Sequence, residues 1–150
     1  MAKTSGFPRI VRLLKPGDYA RVYAARQSAA SGPLVLYACP SVGGTGAAEA
    51  GEARPPRLGV SVSRRIGNAV VRNRWKRRLR EAFRGARPRL PAGNDLVIVV
   101  RSSAVPAGAA GARQVEEWLV SLTARVVRRP AYAAAGRHVP VGPVPPRRRG

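Results

Sequence analysis

The sequence predicts a single mixed α/β domain over residues 13–130, and three observations carry that expectation. Asp95-Leu96-Val97-Ile98-Val99-Val100-Arg101 is a near-continuous aliphatic run, as in a strand buried on both faces. Leu58-Gly59-Val60-Ser61-Val62-Ser63 alternates with period two, as a half-buried strand does. Around these runs apolar residues recur at helical spacing, so helices and strands alternate along the chain.

Residues 1–12 read as a basic arm ahead of the domain. Pro16 and Asp18 mark a helix start, with Asp18 placed to cap free amide groups. Tyr19, Val22 and Tyr23 share one face by their i, i+3, i+4 spacing, and this helix should run to about Arg26. Pro33 to Ala38 is apolar enough for a buried strand, and Pro40 closes it. From residue 41 to 56 the chain is rich in Gly, Ala and Pro, which predicts a flexible loop. Arg64-Arg65-Ile66-Gly67 forms a basic turn after the second strand. Asn68 then caps a helix running to about Arg84. Leu90 to Asn94 is a loop before the aliphatic strand, and Val105 to Gly111 a linker of small residues. Val115, Trp118, Leu119, Leu122 and Val126 define an amphipathic helix over 114–128, which Pro130 ends. Residues 131–150, with Arg147-Arg148-Arg149 near their end, read as a disordered basic tail.

Charge narrows the partners. The 150 residues carry 28 Lys plus Arg against 7 Asp plus Glu, a net charge of +21. Such a chain attracts polyanions, and nucleic acid gains most from the contact because phosphate neutralisation releases condensed counterions. No apolar run approaches the roughly 20 residues needed to span a bilayer, and Arg9 and Arg12 interrupt any signal-like segment near Met1. Cys39 is the only cysteine, which excludes an internal disulfide and a Cys-cluster zinc site. The expectation is a cytoplasmic protein without a membrane partner.

The helix after Asn68 concentrates the charge. At about 100° per residue, Val71, Trp75, Leu79, Ala82 and Phe83 form one apolar stripe. Asn73, Lys76, Arg77, Arg80 and Arg84 gather opposite, with Arg72, Arg74 and Arg78 flanking. An ordinary solvated face mixes signs at i, i+4 spacing. Here Glu81 is the only acid from Arg57 through Leu90, beside twelve arginines and lysines. Crowded cations repel unless an anion compensates them, so this face reads as a phosphate-binding surface. The strand before it argues against a helix-turn-helix, which favours RNA over DNA.

Groups able to cleave RNA are scarce. His138 is the only histidine and falls in the tail. The acids Asp18, Glu49, Glu52, Glu81, Asp95, Glu116 and Glu117 are scattered rather than clustered for metal binding. Glu116-Glu117 reads as solvated surface, Cys39 as a small buried residue, and Trp75 and Phe83 as core.

The run from Arg57 to Arg84, centred on Arg72-Asn73-Arg74, resembles the signature of the bacterial ribonuclease P protein family. Leu14-Lys15 with Asp18 to Tyr23 is similar to the family's first helix, Leu34 to Tyr37 to a family strand, and Asp95 to Val99 to the last strand. The resemblance covers about residues 13–128. It implies an α/β sandwich (α+β), with a four-stranded sheet, about three helices and a left-handed βαβ crossover that departs from the usual hand. It further implies a subunit that assists a catalytic RNA in removing the 5′ leader of precursor tRNA. Arg64, Arg65, Arg72, Asn73, Arg74, Lys76, Arg77 and Arg80 would contact the catalytic RNA. Tyr19, Tyr23 and Tyr37 would line a cleft for the leader, where spacing alone assigns Tyr19 and Tyr23 to core. Mg2+ would be held mainly by the RNA and none by the protein alone, with no small-molecule substrate. The charge by itself also permits a structural RNA-binding protein, such as a ribosomal component, or a DNA-binding regulator.

Overall fold

The computed structural model describes residues 12–13, 16–41 and 55–132. The arm before Arg12, most of the loop expected over 41–56 and the tail after Tyr132 lie outside the described residues.

Helix α1 spans Pro16–Ala24. Proline suits the first position because its missing N–H would be unpaired there anyway. Asp18 sits within the first turn, with its carboxylate 3.8 Å from the Arg57 guanidinium. The helix stops two residues short of the expected Arg26, which adopts a left-handed φ of 55° and donates its amide to the Tyr23 carbonyl.

Strand β1, Ser28–Ser31, carries no apolar alternation in its sequence and exists because of its turn. Ser31 pairs with Leu34 across a two-residue loop, Gly32-Pro33, opening strand β2 at Leu34–Pro40. Gly32 has φ +56°, while proline is confined to negative φ, the pattern of a type II′ hairpin.

Strand β3 covers Arg57–Ser61 and ends before Ser63, which instead caps a short 3₁₀ turn, Arg64–Ile66, by accepting the Arg65 amide. Asn68 caps helix α2, Ala69–Ala86, its Oδ1 accepting the Val71 N–H at 3.0 Å. Asn68→Ala should therefore cost about 1 kcal/mol, read as a lower urea midpoint at unchanged slope. Strand β4 spans Asn94–Val100. Helix α3, Gly108–Val127, starts six residues before the expected Gln114. Its first turns are made of glycine and alanine, and Gly111 packs against the Pro106 backbone where a Cβ would come within 2.5 Å. The expected linker therefore contributes its second half to α3.

The strands form one mixed sheet in the order β1-β2-β4-β3. Among the described strands β3 and β4 are the parallel pair, α2 is the crossover between them, and Arg12 adds an isolated parallel bridge to Leu58. Leu34, Leu36, Leu58, Leu96, Ile98 and Val100 face α2 and α3, which contribute Trp75, Leu79, Phe83, Val115, Leu119 and Leu122 to the main core. The other sheet face packs Cys39 and Val97 against Val22 of α1 and Leu13. The result is a sandwich with one helix on one face and two on the other. Packing continues past the expected domain edge at residue 130, because Tyr132 is buried and donates its hydroxyl to Asn94 Oδ1 at 2.6 Å.

Candidate nucleic-acid interface

Strand register arranges the α1 face of the sheet in rows, since alternate residues point to the same side. Arg57, Asp95 and Cys39 form the first row, Gly59, Val97 and Tyr37 the second, and Ser61, Val99 and Val35 the third.

The first row anchors α1. Asp95 is fully buried and accepts from Arg57 Nε at 2.8 Å, Arg57 Nη2 at 2.7 Å, Ser41 Oγ at 2.9 Å and Arg21 of α1. Burial alone would push this carboxyl up, but hydrogen bonds and charge from Arg57, with help from Ser41 and Arg21, hold it below the usual range. Arg21 also donates to the Pro40 carbonyl and to Cys39 Sγ. Burial pushes the Cys39 thiol up, so it stays neutral.

The second row holds the tyrosines. A Cβ on Gly59 would lie 2.7 Å from Tyr19 Cζ, so glycine is what lets that ring rest on the sheet. Tyr23 meets Tyr37 edge-on, with ring centroids 5.0 Å apart at 87°. All three rings pack against the smaller core yet remain half-buried. Ser61, Val99 and Val35 of the third row are also half-buried, so a partly exposed strip of the sheet, the trough, lies beside the rings.

β3 leaves that third row at Ser61 and enters the basic turn, where Arg64 and Arg65 are exposed. On α2, Asn73, Arg74, Arg77 and Arg80 are exposed, while Arg72 and Lys76 are half-buried. Arg72 Nε donates to the Gly67 carbonyl at 3.2 Å, which staples the turn to the helix. Trp75, Leu79 and Phe83 beneath them are fully buried, as expected for core, and Trp75 Nε1 donates to the Ser102 carbonyl at 2.8 Å.

Each of the five acids among the described residues faces an arginine: Asp18 and Asp95 face Arg57, Glu81 faces Arg78, and Glu116 and Glu117 face Arg89. Glu116 and Glu117, expected as solvated surface, thus tie α3 to the segment after α2. Among the described residues, Arg64, Arg65, Arg74, Lys76 and Arg77 have no carboxylate partner. Arg26, Arg87, Arg101, Arg113, Arg125, Arg128 and Arg129 likewise have none, but the turn and α2 hold the densest run of such cations in the described sequence. Amide groups at the α2 N-terminus and these cations suit phosphates, and half-open aromatic rings suit unpaired bases. Among the described residues no three His, Cys, Asp or Glu lie together as a metal site, and no helix is long and apolar enough to cross a membrane.

Two parts of this arrangement escaped sequence reasoning. The Arg21–Asp95–Arg57 cluster had one available signal, an acid opening an otherwise aliphatic strand. The third row had none, because it depends on register.

The profile of the ribonuclease P family matches residues 7–126. The chain belongs to the ribonuclease P protein family. It is 41% identical over 101 residues to the ribonuclease P protein component of a Cyanothece species, an alignment covering 63% of this chain and 77% of that one. The ribonuclease P protein of Staphylococcus aureus has a similar structure, with a TM-score of 0.58 at 28% identity, covering 79% of this chain and 95% of that one. The Thermotoga maritima ribonuclease P protein gives 0.59 at 26%, covering 77% and 96%. These likenesses agree with the four-stranded sandwich and give the chain the role of the ribonuclease P protein subunit, an accessory component in tRNA 5′ maturation.

Proposed function

We propose that the basic turn and α2 dock on the catalytic RNA of ribonuclease P while the tyrosine trough receives the single-stranded 5′ leader of precursor tRNA. The observation that carries this reading is the sheet register. It sets Tyr37 beside the half-buried third row, on the face where α1 packs Tyr19 and Tyr23, and β3 runs from that row directly into the crowded cations. Arg64, Arg65, Arg72, Asn73, Arg74, Lys76, Arg77 and Arg80 form the contact set for the catalytic RNA; Tyr19, Tyr23 and Tyr37 form that for the leader. Aromatic stacking has little sequence preference, which suits a subunit that meets many leaders. In this reading the RNA holds the Mg2+ and performs the hydrolysis in the cytoplasm, and the protein strengthens substrate binding.

Reconstitution with bacterial ribonuclease P RNA at low magnesium tests the proposal. The protein should increase leader removal over RNA alone. Tyr23→Ala should weaken binding of precursor by about 1–3 kcal/mol and leave mature tRNA unaffected. Equal losses for both ligands would overturn the trough assignment.

A further inference from the structure

A groove at the end of the sheet lies outside both contact sets. Gly32, Pro33, Arg101, Ser102, Pro106 and Trp118 line it, and its volume is about 670 Å³. The depression is wide open to solvent, and its volume is sufficient for a single nucleotide. We infer that this groove is a second single-strand site, which takes the precursor leader after it leaves the trough. The inference rests on the leader assignment above.

Continuity is the first argument. Val35 and Val99 belong to the half-buried third row, and Pro33 and Arg101 lie two residues farther along the chain, just past the ends of β2 and β4. At about 3.3 Å per residue, the level of Pro33 and Arg101 lies roughly 7 Å along the sheet from Val35 and Val99, and the leader would then turn over the end of the sheet to meet Trp118 of α3 on the opposite face. Because β2 and β4 are antiparallel, both strands deliver these residues to the same end of the sheet.

The second argument is the chemistry of the walls. Arg101 is exposed, its amide donates to the Pro33 carbonyl at 2.8 Å, and its Nη2 reaches the Gly32 carbonyl at 3.2 Å. This fixes a cation over the hairpin turn, and no lining residue carries a carboxylate. Trp118 is half-buried and stands against the turn, where a Cβ on Gly32 would lie 2.9 Å from its ring. Gly32 thus serves the backbone, through its positive φ, and the wall, through this close approach. The Ser102 carbonyl is held by Trp75 of α2, so the groove is braced by the same helix that carries the cations. An aromatic wall beside a fixed guanidinium matches one unpaired nucleotide, with the base against the indole and the phosphate at Arg101.

The test uses the reconstituted holoenzyme and precursors with unstructured leaders of graded length. Wild-type affinity should rise as the leader fills the trough and rise again when it reaches the groove. Arg101→Gln and Trp118→Leu should each lose the second rise, about five- to tenfold, while matching wild type on the shortest leaders and in assembly with the catalytic RNA. Tyr23→Ala should lose the first rise. Long leaders should also change the fluorescence of wild type and not of Trp118→Leu, since the other tryptophan, Trp75, is fully buried. Variants that retain the second rise would overturn the inference. So would variants that weaken every leader, or assembly itself, to the same degree, since the groove would then serve the catalytic RNA or the fold. A wild-type holoenzyme indifferent to leader length would instead remove the trough assignment.

Discussion

Asp95→Asn is expected to lower the stability of the domain by about 3–5 kcal/mol. The substitution keeps the side-chain shape but leaves two largely buried guanidinium groups, Arg21 and Arg57, without their shared counter-charge. Whole domains are stable by only about 5–15 kcal/mol, so much of the native margin is at stake. Urea unfolding at neutral pH measures the loss, and an unchanged midpoint would refute it. The pH dependence has a definite sign. The folded-state pKa of Asp95 is depressed, so its contribution is complete above the unfolded carboxylate value of about 3.9 and disappears as pH falls through the folded value. Wild type should therefore lose stability on acidification below about pH 4, and Asp95→Asn should lack that part of the loss. The cluster joins α1 to the sheet, so the variant should also loosen the tyrosine side of the trough.

Replacing Arg72, Arg74 and Arg77 together with Ala should sharply weaken docking on the catalytic RNA and flatten its dependence on salt. Each lost phosphate contact removes up to about 0.9 from the slope of log affinity against log salt, or up to about 2.7 for three. A titration over a series of KCl concentrations separates this from unfolding, because a folding defect would not change the slope in proportion to contacts. In the free protein the triple variant should differ little in stability from wild type: the lost Arg72–Gly67 hydrogen bond costs about 1 kcal/mol, and relief of repulsion among the cations offsets it. Its side chains lie outside the buried underside of α2, and removing them relieves repulsion on a chain of charge +21. An unchanged slope would exclude α2 as the docking surface.

Where a segment's own residues decide its conformation, the sequence was readable. β4 declares itself by its aliphatic run, and Asn68 caps α2 where a short polar side chain precedes an apolar stripe. Trp75 and Phe83 lie on the buried side that helical spacing assigns to them. What stayed hidden depends on partners distant in sequence. Ser28–Ser31 is a strand only because the Gly32-Pro33 turn lays it beside β2. The start of α3 is glycine and alanine, and Gly111 allows the close approach of Pro106. Tyr132 becomes core only because Asn94, at the start of the inner strand β4, awaits it. At the candidate site, α2 and its cations were legible. The ordering of trough and groove was not, because it follows from how β2, β3 and β4 are aligned with one another.

The parallel pair β3 and β4 has a consequence for assembly. The helix bearing the cations is threaded between these two strands, and its underside supplies the largest side chains of the main core. It cannot melt alone without breaking the sheet and opening the interior. A polyanion bound on its outer surface is thus coupled thermodynamically to unfolding of the entire domain, by RT ln(1 + [L]/Kd). If the catalytic RNA docks on α2 as proposed, free copies lack this stabilisation and bear their full self-repulsion, and added RNA should raise the unfolding midpoint of the whole domain.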